Sequence, residues 1–401
     1  MKNNKKLIPE LRFPEFENEG EWEIKTLSGI CDITNGKANA QDHVDNGRYP
    51  LFDRSEVIKA SDEFIFDCEA VIIPGEGMRF IPKYYEGKFN LHQRAYALKD
   101  FSCSGQFVYY SMLHRSTLLS QKAVQSTVLS LRLPILQDFP IEIPKKPQEQ
   151  QKIASCLSSL DEVIEAHSQK LELLKAHKKG LMQNLFPQEG EKVPKYRFKE
   201  FQGKWEKRFV EDFFSVGSSK RVLQKDWTIQ GVPFYRTREL VSLSKNEPFG
   251  SEIFISEELF SKLSKKYGVP TEGDFLVSGV GTLGICYQVK TNDRFYFKDG
   301  NVIWFKLKKG ISSTYFKFCF QSDYIQNQIL KQASVSTVGT YTIQNAKKTT
   351  FWCPPTLTEQ QKIASCLSSL DELIVAQAEK IEQLKQHKKG LIQGLFPKMN
   401  D

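Results

Sequence analysis

The sequence predicts an α+β protein built by internal duplication. Two mixed α/β domains with curved antiparallel sheets are expected, joined by two long helices that form an antiparallel coiled coil with pseudo-twofold symmetry. Three observations lead to this fold class. A 39-residue segment occurs twice, its leucines and isoleucines follow a heptad spacing, and short β-branched runs lie between the copies. At 401 residues the chain is long enough for two or three domains.

The repeated segment occupies residues 149–187 and 359–397, with an offset of 210 and 29 of 39 positions identical. A shorter pair of similar segments, PELRFPEF from Pro9 and PKYRFKEF from Pro194, is offset by 185. Divergent sequence fills residues 21–148 and 204–358. This alternation indicates a duplicated domain, because its period is far too long for a solenoid.

We therefore predict four parts in chain order. The first domain with its lead-in covers residues 1–148, and a central helix covers 149–187. The second domain with its lead-in covers 188–358, and a C-terminal helix covers 359–397. We expect Thr358 to cap the second helix, whereas Gln148 is a poor cap for the first.

Each repeated segment has apolar residues at alternating three- and four-residue steps, which is typical of a narrow coiled-coil seam. Acids lie near the start of each copy and lysines near the end, so antiparallel pairing places opposite charges side by side. The alternative is that each helix packs only on its own domain. The predicted seam residues are Ile153, Leu157, Leu160, Ile164, Leu174, Leu181, Ile363, Leu367, Leu370, Ile374, Leu384 and Leu391.

The charge distribution separates the helices from the domains. The chain has 56 basic and 48 acidic residues, a net charge of +8. Each repeated segment contains five acids and five lysines, so the excess positive charge lies outside both copies. Basic domains suit a polyanion partner, whereas neutral helices are typical of a spacer.

Both divergent segments contain short strand-like runs, such as 69–73, 295–297 and 301–305, and a helical pattern at 313–330. Several of their loops combine basic, amide and hydroxyl side chains, which are the groups that contact bases and phosphates. For each residue alone, an ordinary solvent-exposed loop residue is slightly favoured; the combination favours DNA binding. In the first domain the candidates are Arg79, Lys83, His92, Gln93 and Arg94. In the second they are Arg236, Arg238, Ser278, Thr282 and Lys298.

Catalytic signatures give little support for an enzyme. The sequence has no phosphate-binding P-loop and no complete dinucleotide motif, and its six histidines lack the paired spacing of a zinc site. Asp67 with Glu86 and Lys88 loosely matches a nuclease triad, a pattern that arises often by chance. The eight cysteines include no C-x-x-C pair, and no signal peptide or long apolar run is evident, so we expect a cytoplasmic protein without a metal site.

The motifs of the repeated segment resemble those of type I restriction-modification specificity subunits. The run P-x4-E-Q-Q-K-I-A-x2-L-x2-L-D-E followed by K-K-G-L-x-Q-x-L-F-P begins at Pro144 and again at Pro354. A lead-in of the form R-F-x-E-F precedes Trp22 and Trp205. The resemblance covers nearly the whole chain, and it is most specific in the repeats.

The resemblance implies a non-catalytic protein with two target-recognition domains, each of which recognises one half of a bipartite, asymmetric DNA site. The helices would set the spacing and dock two methyltransferase (modification) subunits, and restriction subunits that act as motor and nuclease would join. S-adenosylmethionine, ATP and magnesium would belong to those partners, with no cofactor in this chain. A stand-alone DNA-modifying or DNA-cleaving enzyme and a basic coiled-coil scaffold remain the alternatives.

Overall fold

The computed structural model describes residues 7–124, 128–245, 247–249, 252–297, 302–333 and 339–398. The chain divides into two compact units. Unit 1 comprises Met1–Gln169 with Ala378–Asp401, and unit 2 comprises Lys170–Gln377. Each unit therefore combines one of the predicted domains with parts of both long helices.

Unit 1 is built on a six-stranded sheet with the order β2-β7-β5-β6-β3-β4 and a separate two-stranded sheet, β1-β8. All of its strand pairs are antiparallel except β3 with β6, which is parallel. The elements are β1 Glu23–Thr26, β2 Asp32–Asn35, β3 Tyr49–Phe52, β4 Lys59–Ser61, β5 Phe66–Pro74, β6 Lys83–Leu91, β7 Ala95–Lys99, α1 Gly105–His114, α2 Ser116–Lys122, α3 Leu133–Gln137, β8 Pro140–Ile143 and α4 Pro147–Leu185.

Unit 2 contains two four-stranded sheets, β10-β17-β14-β15 and β11-β13-β12-β16, and the two-stranded sheet β18-β9. The only parallel pair among its described strands is β12 with β16. The elements are β9 Glu206–Phe209, α5 Val210–Phe213, β10 Phe214–Gly217, β11 Trp227–Thr228, β12 Val232–Tyr235, α6 Thr237–Lys245, β13 Phe254–Ile255, α7 Glu257–Tyr267, β14 Phe275–Ser278, β15 Cys286–Gln288, β16 Tyr296–Phe297, β17 Val302–Leu307, α8 Ser313–Phe320, α9 Asp323–Ala333, α10 Ile343–Lys348, β18 Thr350–Cys353 and α11 Leu357–Leu395.

The β-branched run at residues 71–73 forms the buried end of β5, the central strand of its sheet. The adjacent helix α1 begins after Ser104, whose Oγ accepts a hydrogen bond from the Phe107 N–H. This N-cap satisfies one of the free N–H groups of the first turn. The main core of unit 1 then lies between the sheet, α1 and the long helices, with Phe107 fully buried in it.

The arginine and the tryptophan of each lead-in donate hydrogen bonds to a buried glutamate at the start of a long helix; we call this set of contacts the glutamate anchor. In unit 1, Arg12 Nε and Nη2 donate to the two carboxylate oxygens of Glu149 at 2.8 and 2.9 Å, and Trp22 Nε1 donates at 3.2 Å. The Glu149 side chain is 1% exposed. The paired charges and three hydrogen bonds offset the cost of burying this carboxylate.

Unit 2 contains the equivalent set of hydrogen bonds. Arg197 Nε and Nη2 donate to Glu359 at 2.8 Å each, and Trp205 Nε1 donates at 3.1 Å. The glutamate of the E-Q-Q-K run is therefore a core residue in both units. Its hydrogen bonds connect the lead-in to the start of the long helix. The predicted duplication is confirmed at the level of individual hydrogen bonds.

The two long helices pair antiparallel within each unit, as predicted. In unit 1, Lys388 near the end of α11 binds Asp161 in the first half of α4, with Nζ to Oδ1 at 2.5 Å. In unit 2, Lys178 near the end of α4 binds Asp371 in the first half of α11 at 2.5 Å. Each residue of one pair lies 210 positions from its counterpart in the other, so the two contacts are images of each other.

The seam residues at the helix starts, among them Leu157 and Leu367, are fully buried, whereas those towards the middle, such as Ile164 and Ile374, are half-buried. Both helices begin and end two residues earlier than predicted. The predicted cap at Thr358 is wrong, because Thr358 lies inside α11 and the Glu359 N–H donates to Thr356 Oγ at 3.3 Å. Helix α4 begins with Pro147, a residue whose fixed φ suits the first turn.

Candidate nucleic-acid interface

A cleft of about 470 Å³ lies in unit 1 where three loops meet. The loops follow β2, β3 and β6, and the parallel pairing of β3 with β6 places the last two side by side. The lining is polar throughout and consists of Asn39, Gln41, Asp53, Arg54, Lys59, His92, Gln93 and Arg94. Three of the five residues predicted for this domain, at 92–94, therefore share one cleft.

Two amide side chains form a pair in this cleft. Gln93 Nε2 donates to Asn39 Oδ1 at 2.8 Å. The Asn39 backbone N–H donates to Asp42 Oδ2, and the Gln93 N–H donates to the Ala38 carbonyl, so both residues are held in place. The pair leaves Gln93 Oε1 as an acceptor and Asn39 Nδ2 as a donor. This combination matches the N6–H donor and N7 acceptor of adenine in the major groove.

Two arginines of the cleft are oriented by one acid. Arg94 Nη1 donates to both oxygens of Glu76 at 2.7 and 2.8 Å, and Arg54 Nη1 lies 3.5 Å from the same carboxylate. The two guanidinium groups are 57% and 60% exposed, so they keep donors for a ligand. One acid against two arginines leaves a net positive charge, which suits phosphate or a guanine edge.

The floor of the cleft contains a second ion pair. Lys59 Nζ binds Asp53 Oδ2 at 2.7 Å. Burial raises the pKa of the Asp53 carboxyl, but hydrogen bonds from Lys59 and Ser55 outweigh that effect and bring the pKa below its ordinary value. Burial lowers the pKa of His92. Its Nδ1 accepts the Arg94 N–H at 3.1 Å, which also requires an unprotonated nitrogen.

The other two residues predicted in this domain lie outside the cleft lining. Arg79 is exposed in the loop between β5 and β6. Lys83 begins β6 and is half-buried, and its Nζ donates to the Ser55 carbonyl at 2.6 Å. Burial lowers the pKa of Lys83. The lysine therefore supports the loop that carries Asp53 and Arg54, rather than facing solvent.

In unit 2, Arg236 and Arg238 follow β12, the strand that pairs parallel with β16. This is the same topological place as the loop after β3 in unit 1. Both arginines donate to Glu239, whose side chain is 2% exposed. Arg236 lies over the Trp227 ring at 5.2 Å and is 19% exposed, so it holds the loop. Arg238 is 60% exposed and can also contact a ligand.

The remaining predictions for unit 2 differ in outcome. Ser278 is fully buried. Its Oγ donates to the Thr282 carbonyl and accepts from the Ile285 N–H, so this hydroxyl stabilises the turn. Thr282 is exposed at the tip of that turn. Lys298 lies outside the described residues, and the DNA contacts predicted for Ser278 and Thr282 stay predictions.

The nuclease-like residues lie on one hairpin. Asp67 is directly opposite Lys88 in the pairing of β5 with β6, and Glu86 is exposed on the same hairpin. Across the described part of the chain, no group of three or more His, Cys, Asp and Glu residues is placed to hold a metal ion. Within the same ranges, no helix has the length and apolar composition needed to cross a membrane.

Two α+β units that share anchors and helix pairing but differ in their polar loops define a duplicated recognition protein. The chain belongs to the type I restriction modification DNA specificity domain family, whose model matches residues 19–176 and 202–386. This result confirms the family that the repeat motifs indicated.

Individual relatives agree with the family. The chain is 27% identical over 181 residues to the type I restriction enzyme EcoDI specificity subunit of Escherichia coli, an alignment that covers 44% of this chain and 40% of the relative. It is 23% identical over 408 residues to the MjaVIII specificity subunit of Methanocaldococcus jannaschii, covering 95% and 92%.

Two solved structures share the fold. The type I system S subunit from M. genitalium superposes with a TM-score of 0.65 at 16% identity, covering 98% of this chain and all of that one. A chain from a structural study of type I assembly and conformational transition gives a TM-score of 0.55 at 12% identity, covering 94% and 97%.

Proposed function

We propose that this chain gives a type I restriction-modification complex its DNA sequence specificity, with each unit recognising one half of a bipartite, asymmetric site. The observation that carries the proposal is a contrast between the contacts that hold each unit together and the polar loops that each unit presents. The glutamate anchors and the cross-helix ion pairs are the same in both units. The polar loops after β3 and β12 contain different residues, as two different half-sites require.

In unit 1 the contacting surface is the cleft at the ends of β2, β3 and β6. The amide pair contacts a base edge, and Arg54 and Arg94 contact a guanine or the phosphates. In unit 2 the corresponding contacts come from Arg238 and the turn that carries Thr282. Base edges supply the specificity, while the lysines and remaining arginines position the duplex through its phosphates.

The paired helices set the spacing between the half-sites and dock two methyltransferase subunits, and restriction subunits join the resulting complex. The chain itself is non-catalytic and needs no cofactor. S-adenosylmethionine, ATP and magnesium act on the partner subunits, and the complex works in the cytoplasm where its DNA is. The coiled coil and the family membership support this assignment of roles.

A domain exchange tests the proposal. Residues 21–148 are replaced by the equivalent domain of a relative with a known target, and methylated sites are mapped by sequencing. One half of the site should change while the other half and the spacer persist. The reciprocal exchange of 204–358 is the matched control and should change the opposite half. Both halves changing in either hybrid would contradict modular recognition.

Assays on the purified chain distinguish a stand-alone enzyme from a recognition subunit. Purified without partners, the chain should bind DNA but neither methylate nor cleave it when S-adenosylmethionine, ATP and magnesium are supplied. Methylation should appear only when a modification subunit is added. Turnover by the isolated chain would instead support the stand-alone enzyme.

A further inference from the structure

Each unit contains a pocket lined by the same stretch of a long helix. In unit 1 the pocket has a volume of about 440 Å³, and in unit 2 about 260 Å³. The helix residues of the two pockets lie at matching positions, 210 apart. They are Lys385, Lys388, Lys389, Ile392 and Gln393 in unit 1, and Lys175, Lys178, Lys179, Met182 and Gln183 in unit 2. The K-K-G-L-x-Q motif therefore builds the same feature twice.

Within each pocket one lysine is held by the fold. Lys388 and Lys178 bind Asp161 and Asp371, and their side chains are 13% and 24% exposed. They also lie 5.2 and 5.4 Å from the ring centres of Tyr110 and Phe318. These lysines stabilise the helix pairing and shape the pocket wall.

The neighbouring lysine in each pocket is available to a ligand. Lys179 and Lys389 are exposed, and neither forms an ion pair with any described residue. Lys175 is half-exposed and binds only Glu172 on the same helix face. Asp323 also lines the unit 2 pocket and offsets part of its charge. The unit 1 pocket has three lysines and no acid in its lining.

The long helix adds one aliphatic side chain beside the lysines of each pocket, and the rest of the unit 2 lining is polar. Ile392 is 7% exposed, Met182 is half-buried at the matching position, and Leu113 adds to the unit 1 pocket. His114, which also lines the unit 1 pocket, stacks on Phe396 with the ring centres 5.5 Å apart. A site with a cation next to an aliphatic surface suits a protein segment that presents a carboxylate beside an aliphatic side chain. DNA phosphates would leave that surface unused.

We propose that each pocket receives an acidic segment of one modification subunit, so that the two pockets bind two copies of the same partner. The proposal rests on the function proposed above. It explains why the helix residues of the pockets recur in both units, while the loops that contact DNA differ. A partner that is identical on both sides can use the same helix contacts twice, whereas two different half-sites require different loops.

Charge reversal tests this interface. Lys179→Glu and Lys389→Glu are made singly and together in the full chain, which is then titrated with the modification subunit that the wild-type chain binds. The matched controls are Lys170→Glu and Lys380→Glu, which are exposed, lie 210 apart on the same helices and face neither pocket. Light scattering gives the stoichiometry, and thermal unfolding checks that all variants fold alike.

Each single pocket variant should bind one modification subunit normally and the second at least about 30-fold more weakly, the equivalent of about 2 kcal/mol. The double variant should lose both, while the control pair keeps two. Sequence-specific DNA binding by the variant chains alone should be unchanged.

Three outcomes would overturn the pocket assignment. In the first, the double variant assembles with two modification subunits and supports methylation, which leaves the proposed function intact. In the second, assembly is unchanged but the salt dependence of DNA binding falls, which makes the lysines phosphate contacts. In the third, the wild-type chain binds no modification subunit, and the proposed function fails together with the pocket.

Discussion

Removing the buried glutamate from one unit should destabilise that unit and leave the other intact. The change is Glu149→Ala, which takes away a carboxylate that accepts three hydrogen bonds from Arg12 and Trp22. The Arg12 side chain is 6% exposed, so water cannot replace the lost partner without a local rearrangement. An uncompensated buried charge is among the few defects that cost several kcal/mol.

The structure predicts how much stability each unit loses and why the loss differs between Glu149→Ala and Glu359→Ala. Breaking a buried ion pair by deleting one partner costs about 3–5 kcal/mol, and Arg12 then keeps only the Gly20 carbonyl as acceptor at 2.7 Å. Arg197 is 20% exposed and donates to two carbonyls, those of Gly203 and Gln202. Glu359→Ala should therefore cost less, about 2–3 kcal/mol, and its effect should be confined to unit 2.

Hydrogen exchange during urea unfolding assigns each loss to its unit, because β5 reports on unit 1 and β17 on unit 2. The double variant Arg12→Ala with Glu149→Ala should be less destabilised than the sum of the single variants, since no charge is left unpaired. A cost below about 1 kcal/mol for Glu149→Ala, or equal loss of protection in both units, would falsify the role of this anchor.

Three further predictions concern recognition, the seam and the spacing. Asn39→Ala or Gln93→Ala should remove about 1–3 kcal/mol of the preference for adenine at one position of the half-site. The measurement is the affinity for DNA sites that carry each of the four bases at that position. If the affinity fell equally for all four bases, the side chain would contact phosphate instead. Leu160→Asp with Leu370→Asp should lower the free energy of unfolding by several kcal/mol and abolish assembly. Leu370→Asp should contribute more of this loss, because Leu370 is only 7% exposed. If the double variant kept the thermal stability of the wild type, the two residues would not lie in a paired seam. Four residues inserted after Lys170 should alter the methylated spacer but neither half-site.

Local repetition made the helices and the duplication predictable. Both helix positions follow from the heptad spacing to within two residues, and the strand runs at 69–73 and, in its described part, 302–305 lie in β5 and β17. The parallel pairings β3–β6 and β12–β16 were not predicted. They join strands far apart in the chain, and nothing in a strand's own pattern reveals its neighbour.

The site was only partly predictable for the same reason. Residues 92–94 combine three polar types in one loop, which made them visible. Asn39 and Arg54 complete the cleft from two other loops and Lys59 from the start of β4, and they had no such local signal. Glu149 is one of the acids near the start of the first repeat, for which the sequence predicts only charge pairing between the helices, whereas it is a buried core residue. The signal that could have identified its role is the joint recurrence of the R-F lead-in and the E-Q-Q-K run.

The repetition extends to the contacts between the two helices, so a half-length chain should assemble with itself. A truncated chain of residues 1 to about 190 contains one recognition domain and one long helix. In an antiparallel homodimer, Asp161 would meet Lys178 of the partner subunit, which reproduces both cross-helix ion pairs. One surface meets its own copy, so the dimer would have true twofold symmetry.

One position in this homodimer fits less well than in the intact chain. The Leu11 N–H donates to the Gly394 carbonyl at 2.8 Å, and a Cβ on that glycine would lie 2.5 Å from the Leu11 side chain. Asn184 stands at the matching place in the first helix, where it accepts the N–H of Tyr196 instead. In the homodimer Asn184 would face Leu11, and such overpacking costs about 1–3 kcal/mol until the leucine moves.

The truncated chain should therefore dimerise weakly, and Asn184→Gly should tighten the dimer by about tenfold or more, since about 1.4 kcal/mol is a factor of ten. Asn184→Ala is the matched control, because it keeps the Cβ and should give no such gain. Sedimentation measures both dimers, and methylation mapping with an added modification subunit should show an inverted repeat of the first half-site. If all three truncated proteins remained folded monomers, the second helix would supply something that the repeated contacts do not contain.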